Sequence, residues 1–411
     1  MHIVLANQWY PPESGWGGVA MYNRAIANAY REVGHEVTVI ARRNDDQTPA
    51  DAKIDGIRIK RLLTRDRYYL RRMPLAGYYS RACQQLFYSW RIRHALAQLH
   101  QAHPIDIVEF AEINAEGFFF ARAPWVPFVV RCHTPTFVLS DFFKADELPF
   151  DTKLISACEQ QTIRRAHALT APSSDMAQRI AEATGVARDQ IAVIPNPLAV
   201  AASNGNGLKS KAKKGISPTI LYVGRIERAK GIGVLAAAIP EVLGRVPQAH
   251  FVVAGYDRPT SRGTSQQREL EEAFACAGVS ANVEFAGAVE QSKLPALYEG
   301  ADLCVVPALQ YESFSYTCAQ AMAAGKPVVA TRIGGMSETL GNGLAGVLVD
   351  PDDPSQLAQA IVDLLHDNEK RNVMGQAGRE KAARDFEPAA VAQRNLEVYE
   401  RARQVFAERR A

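Results

Sequence analysis

The 411 residues are 47% hydrophobic, enough to fill two ordinary cores and more than one compact core usually takes. The 47 Lys plus Arg nearly cancel the 44 Asp plus Glu, leaving a net charge of +3; this gives no support to nucleic-acid binding and leaves recognition to local clusters. The six cysteines are scattered, without C-x-x-C or histidines at ligand spacing, so reduced thiols are expected, with no disulfide and no zinc site.

MHIVLANQWYPP at the start lacks a basic region and a cleavage site, and no run approaches about 18 apolar residues. A soluble, cytoplasmic protein is the expectation. From there, short apolar runs alternate with amphipathic stretches: HIVLAN, EVTVIA, IRIKRL, DIVEFA, FVVRCH, ALTAPS and IAVIPN. Buried strands alternating with helices predict an α/β fold with a parallel sheet covered on both faces, over residues 1–200.

After the first of these strands comes a Pro-rich loop, and then Gly17 and Gly18 open a helix. Glycines there let a phosphate or sugar approach the backbone, or they simply permit a turn; the spacing is not G-x-G-x-x-G. Residues 55–95 hold ten Lys plus Arg, two Asp and seven aromatics. That composition suits anionic lipid headgroups through residues 58–93, or a solvated helix face over a buried stripe. His133 ends the strand FVVRCH, where it can hydrogen-bond a reacting group or serve as packing. NDDQ at 44–47 reads as a solvated turn, and no D-x-D metal site is evident.

Residues 201–218, rich in Gly, Ser, Asn and Lys, form a linker. The pattern then restarts over residues 219–385 with TILYVG, HFVVAG, NVEFAG, LCVVPA, PVVAT and GVLVD, which predicts a second α/β domain. Arg225 and Lys230 follow its first strand and precede a helix start. Two cations so placed make a diphosphate clamp or a solvated loop. Glu312 precedes a helix whose start, at Ser315, Tyr316 and Thr317, can offer amides to phosphate. A carboxylate would repel phosphate but can accept sugar hydroxyls; the alternative is a charge set against the helix dipole. Residues 386–411 form a helical tail expected to pack back on the first domain.

Together the Gly-Gly loop with GHEVTVI, the HTP after a central strand, GRIERAKG, the block ESF…AQAMAAGKPVVAT…GGMSE and GVLVDPDDPSQLAQAI resemble the retaining GT-B glycosyltransferases of sequence family four. The resemblance covers nearly the full chain. It implies two Rossmann-like domains facing each other across a cleft and transfer of sugar from a nucleotide-diphosphate donor, UDP- or GDP-linked, to a sugar, glycan or lipid-linked acceptor. Such transfer is used in glycan, polysaccharide or glycolipid assembly.

By this resemblance Arg225 and Lys230 hold the diphosphate and Glu312 binds donor-sugar hydroxyls. Gly18 approaches the phosphate or sugar, and His133 lies close to the anomeric centre. The family's second glutamate, which binds ribose, is replaced by Gln320; Ser315 stands for a usual glycine, and Asn196-Pro197 for Asn-Gly. No metal and no resident cofactor are implied, since the nucleotide-sugar is a co-substrate. Peripheral contact with the inner face of a membrane is compatible with the basic stretch. A nucleotide-sugar epimerase of the same architecture and a non-catalytic nucleotide-sugar binding protein are the competing readings.

Overall fold

The computed structural model describes residues 1–11, 15, 17–43, 45, 47–63, 80–140, 142, 151–199, 217–257 and 263–411. Most of the expected linker, the arginines at 65, 67, 71 and 72, and parts of NDDQ lie outside the described residues. The chain divides into two compact units: Met1–Pro197 with Glu387–Ala411, and Leu198–Phe386.

In the first unit β1 (His2–Ala6), β2 (Glu36–Arg43), β3 (Asp51–Ile54), β4 (Ile57–Leu63), β5 (Ile107–Ala111), β6 (Phe128–Arg131), β7 (Ala168–Ala171) and β8 (Ile191–Val193) form one sheet, ordered β3-β4-β2-β1-β5-β6-β7-β8. All pairings are parallel except β3 with β4. The unpredicted β3 closes a hairpin through Asp55 and Gly56, both at positive φ, the two-residue Asp-Gly turn that suits the twist of an antiparallel pair. The strands follow the apolar runs because both faces of a parallel sheet are covered: β1 is buried throughout, as is β5.

The helix Pro388–Glu408 belongs to this unit. Its Val391, Ala392, Leu396, Val398, Tyr399 and Ala402 share one core cluster with Ile3, Tyr22, Tyr30 and Ile107. Tyr30 donates to the Tyr399 hydroxyl at 2.9 Å, and Tyr399 donates to Glu109 Oε2 at 2.7 Å.

The second unit holds β9 (Thr219–Val223), β10 (His250–Ala254), β11 (Val283–Gly287), β12 (Leu303–Val306), β13 (Val328–Thr331) and β14 (Gly346–Val349), all parallel, ordered β11-β10-β9-β12-β13-β14. Its core joins Ile220, Phe251, Leu303 and Val329 to Leu235, Ile239 and Val242 of the helix Ile232–Arg245, and to Leu357 and Ile361 of Pro354–His366. The first and last residues of this unit are hydrogen-bonded, Leu198 N–H donating to Phe386 O at 2.8 Å.

Among the parallel strands of each sheet the order reverses direction at one place: between β1 and β5 in the first unit, and between β9 and β12 in the second. Connections leave opposite ways on either side of such a point, which opens a crevice outside the carboxyl ends of the strands. Gly17 and Gly18 follow β1; Arg225 and Lys230 follow β9; Glu312 follows β12.

Candidate functional site

In the second unit, Gly224 opens the loop after β9. Tyr222 donates to Arg225 O at 2.8 Å and the Arg225 guanidinium pairs with Glu227 at 2.8 Å. A short 3-10 turn, Arg228–Lys230, delivers Lys230 to Gly231, which caps the helix Ile232–Arg245 at a φ of 71°. Glycine is required there twice over: φ is positive, and a Cβ would lie 1.6 Å from Pro307 O. That close approach brings the loop after β9 against the loop after β12, where the amides of Leu309 and Gln310 donate to Ala229 O at 3.0 and 3.2 Å.

These two loops meet in a direct ion pair between Lys230 Nζ and Glu312 Oε1, with side chains 30% and 19% exposed. The Glu312 backbone is fixed from β13: Gly335 N–H donates to Glu312 O at 2.8 Å, and a Cβ on Gly334 would stand 2.6 Å from that oxygen. The GGMSE glycines thus hold the carboxylate loop in place. Thr331 Oγ1 adds a bond to Ala308 O at 2.7 Å.

The helix Tyr316–Ala323 begins at Ser315, whose Oγ accepts from Cys318 N–H at 3.3 Å. Thr317 Oγ1 donates to Val223 O at 3.4 Å, tying the helix start to the end of β9. The helix stops in a Schellman motif: Gly325 at positive φ donates to Met322 O, and Lys326 N–H donates to Ala321 O at 2.9 Å. Gln320 accepts the Tyr298 hydroxyl at 3.1 Å through its carbonyl oxygen.

The predicted residues of this unit thus fall into one neighbourhood, at the strand-order reversal. Of their partners, Glu227, Gly334 and Gly335 lie inside the quoted GRIERAKG and GGMSE motifs without having been singled out, and Tyr298 lies in no motif, since each acts by packing or by holding another residue. A groove of about 800 Å³ lined by His250, Asn282, Glu284 and Phe285 contains none of the predicted residues.

In the first unit, Gly17 is the N-cap of the helix Gly18–Glu32, with extended backbone and no side-chain cap. Gly17 and Gly18 are exposed, and a Cβ on Gly17 would meet nothing within 4 Å. His133 follows β6, is 4% exposed and stands edge-on to the Tyr22 ring at 4.8 Å. Its Nε2 is buried without a hydrogen-bond partner. Burial, with the Arg131 guanidinium beside it, holds the imidazole well below its ordinary range, so His133 is neutral.

Around it lie carboxylates that no sequence motif singled out. Glu112 directly follows β5, and burial lifts it to about 7. Glu159 accepts from Asn114 N–H at 2.8 Å and from both the amide and hydroxyl of Thr136; burial lifts it to about 8. Glu116 is fully buried, and burial and nearby Glu112 hold it well above the carboxylate range. Arg131, fully buried, donates to Ile194 O and to Asn196 Oδ1, each at 2.7 Å. Asn196 is thus committed to Arg131.

Of the ten cations in 55–95, Arg61 is buried and donates to Pro49 O; Arg91 donates to Leu63 O, and Arg93 to Phe119 O and Ala123 O. Among the described residues, one group of ligand type converges: His2, Glu36 and His103. Both His2 nitrogens are already bonded, to Pro104 O and Thr38 Oγ1, while His103 pairs with Glu36 at 2.7 Å. All six cysteines are free thiols. No helix among the described residues is long and apolar enough to cross a membrane.

Comparison with known proteins shows the family. The family models described as Glycosyl transferase 4-like domain and Glycosyl transferases group 1 match residues 17–197 and 207–381. A D-inositol 3-phosphate glycosyltransferase of Corynebacterium efficiens is 31% identical over 309 residues, 72% of each chain. The chain belongs to the GT-B glycosyltransferases of family four. This glycosyltransferase has the fold of the sucrose-phosphate synthase from Thermosynechococcus elongatus, with a TM-score of 0.79 and 24% identity over 99% of this chain and 100% of that one. Anabaena HepE, solved in complex with UDP, superposes at a TM-score of 0.72 with 19% identity, over 97% of this chain and 100% of that one.

Proposed function

We propose that this glycosyltransferase moves a sugar from a UDP- or GDP-sugar to an acceptor hydroxyl with retention of anomeric configuration, its own cations supplying the charge that the leaving diphosphate needs. The observation that carries this reading is the pairing of Lys230 with Glu312 in the loops after β9 and β12, with Arg225 in the first of these loops and the Ser315-capped helix start following the second, at the strand-order reversal of the second unit. An ammonium has three N–H groups, so Lys230 can keep Glu312 while turning the others to phosphate oxygens. Glu312, held from Gly335, then offers its remaining acceptor sites to hydroxyls of the donor sugar, and Gln320 offers N–H groups to the ribose.

The amides at Ser315, Tyr316 and Thr317 sit where a helix start favours anions. To Gly17, Gly18 and neutral His133 we assign the reacting sugar. The acceptor oxygen bonds to the anomeric carbon on the face from which the diphosphate leaves, as the bond to the phosphate oxygen breaks; the hydroxyl proton passes to that departing oxygen. A cytoplasmic setting suits such donors. Contact of the basic stretch 58–93 with an anionic membrane falls to its cations other than Arg61, Arg91 and Arg93.

Incubation with a panel of nucleotide-sugars and acceptors tests the reading, with NMR of the product reporting its anomeric form. Lys230→Ala and Glu312→Ala are expected to lower kcat/KM by about 100-fold or more while leaving the fold intact. Full activity in both variants overturns the assignment. An isomerised free sugar from the wild type would instead identify an epimerase.

A further inference from the structure

The strand-order reversal of the first unit carries a residue that the donor assignments do not use. Glu112 begins where β5 ends, and its N–H extends the β5–β6 ladder by donating to Arg131 O at 3.3 Å. Its side chain turns back on the next segment, where Oε1 accepts from Thr134 N–H at 2.6 Å. Thr134 Oγ1 in turn donates to His133 O at 2.6 Å. On one side of this short turn Cys132 N–H is bonded to Thr170 O of β7; on the other, Pro135 O accepts from Val138 and Leu139. One carboxylate oxygen therefore grips the turn that carries His133. The other, Oε2, is buried with no hydrogen-bond partner.

We propose that Glu112 is a positioning residue for His133: its carboxylate, by holding the Thr134 amide, sets the turn from which the imidazole is presented. The proposal rests on the role assigned to His133 above. A carboxylate is chosen for the strength of its bond to an N–H, since a charged acceptor forms a shorter and stronger bond than a neutral one. The charged form has a cost here, because the site is fully buried; the His133 and Thr134 amides and the Arg131 guanidinium offset it. Facing it are the carboxylates of Glu116 and Glu159 and the thiol of Cys132, each of which is pushed up in part by the Glu112 charge.

The grip therefore tightens as pH rises through neutrality and slackens as Glu112 takes up a proton. His133 itself stays neutral over that range. A pH dependence of transfer near neutrality would then belong to Glu112 acting through the turn.

The test uses the full chain in wild-type, Glu112→Gln, Glu112→Ala and Glu159→Gln forms. Amide NMR of Thr134 from pH 5.5 to 9 should show a transition near 7 in the wild type that survives in Glu159→Gln and vanishes in Glu112→Gln. In transfer assays Glu112→Ala should lower kcat by about 10-fold with the donor KM within about two-fold, because a misplaced group costs rate before binding. Glu112→Gln should recover part of that loss with a flat profile across neutrality. Persistence of the Thr134 transition in Glu112→Gln overturns the proposal, as does a wild-type kcat and pH profile in Glu112→Ala. If the wild type transfers no sugar at all, the functional reading fails by itself, and the amide titration still decides whether Glu112 holds the turn.

Discussion

Glu159 shows how a single buried carboxylate shapes the first unit. It joins the Asn114 segment, where Asn114 and Ala115 both have positive φ, to the start of the helix Thr136–Ser140. Its folded pKa of about 8 lies above the ordinary 4.5. Between those values the folded state holds a proton that the unfolded chain has released, so stability is greatest on the acid side and falls as pH rises toward 8. Glu112 contributes with the same sign up to about 7. Thermal melts are expected to show the first unit losing stability between pH 5 and 8, and Glu159→Gln should flatten that slope; an unchanged slope would refute the assignment. None of this was legible in the sequence, where Glu112 and Glu159 are ordinary acidic residues. Their chemistry comes from desolvation, which only the packed sheet imposes.

At the scale of elements, the strand pattern was readable because parallel strands buried on both faces must be apolar throughout. Two elements escaped. The strand β3 is half exposed and short. The helix Asn368–Asp385 has no apolar stripe; it packs through glycines, a Cβ on Gly375 lying 2.2 Å from Gly325 O and one on Gly378 3.4 Å from Met322. Close backbone contact replaces side-chain burial there, so periodicity gives no sign of it. The C-terminal helix did show its apolar face. Removing residues 387–411 takes Val391, Leu396, Val398 and Tyr399 out of the first core, a loss of roughly 8 kcal/mol at about 2 kcal/mol each, comparable to a whole domain's stability. The truncated chain is expected to lose the folded first unit, while Leu396→Ala should cost about 3 kcal/mol. A soluble, cooperatively melting truncation would show that the helix is dispensable.

For the whole molecule, two units with separate cores predict two unfolding steps. A ligand that binds only the folded second unit stabilises that unit by about 2.7 kcal/mol at a hundredfold excess over Kd. Calorimetry with UDP or GDP should therefore raise one transition and leave the other in place, and Lys230→Ala should abolish the rise. A rise of both transitions, or of neither, would count against placing the diphosphate on the second unit.

The sequence by itself determined the α/β class, the two-domain division and the family, and it pointed to Arg225, Lys230 and Glu312 as candidates, because strand burial and loop motifs are local properties written in consecutive residues. Tertiary structure alone decided that Lys230 and Glu312 pair, that Gln320 spends its carbonyl oxygen on Tyr298, and that Glu112 grips the His133 turn. Each of these joins residues far apart in the chain, and the strengths of the bonds depend on how much water the fold excludes.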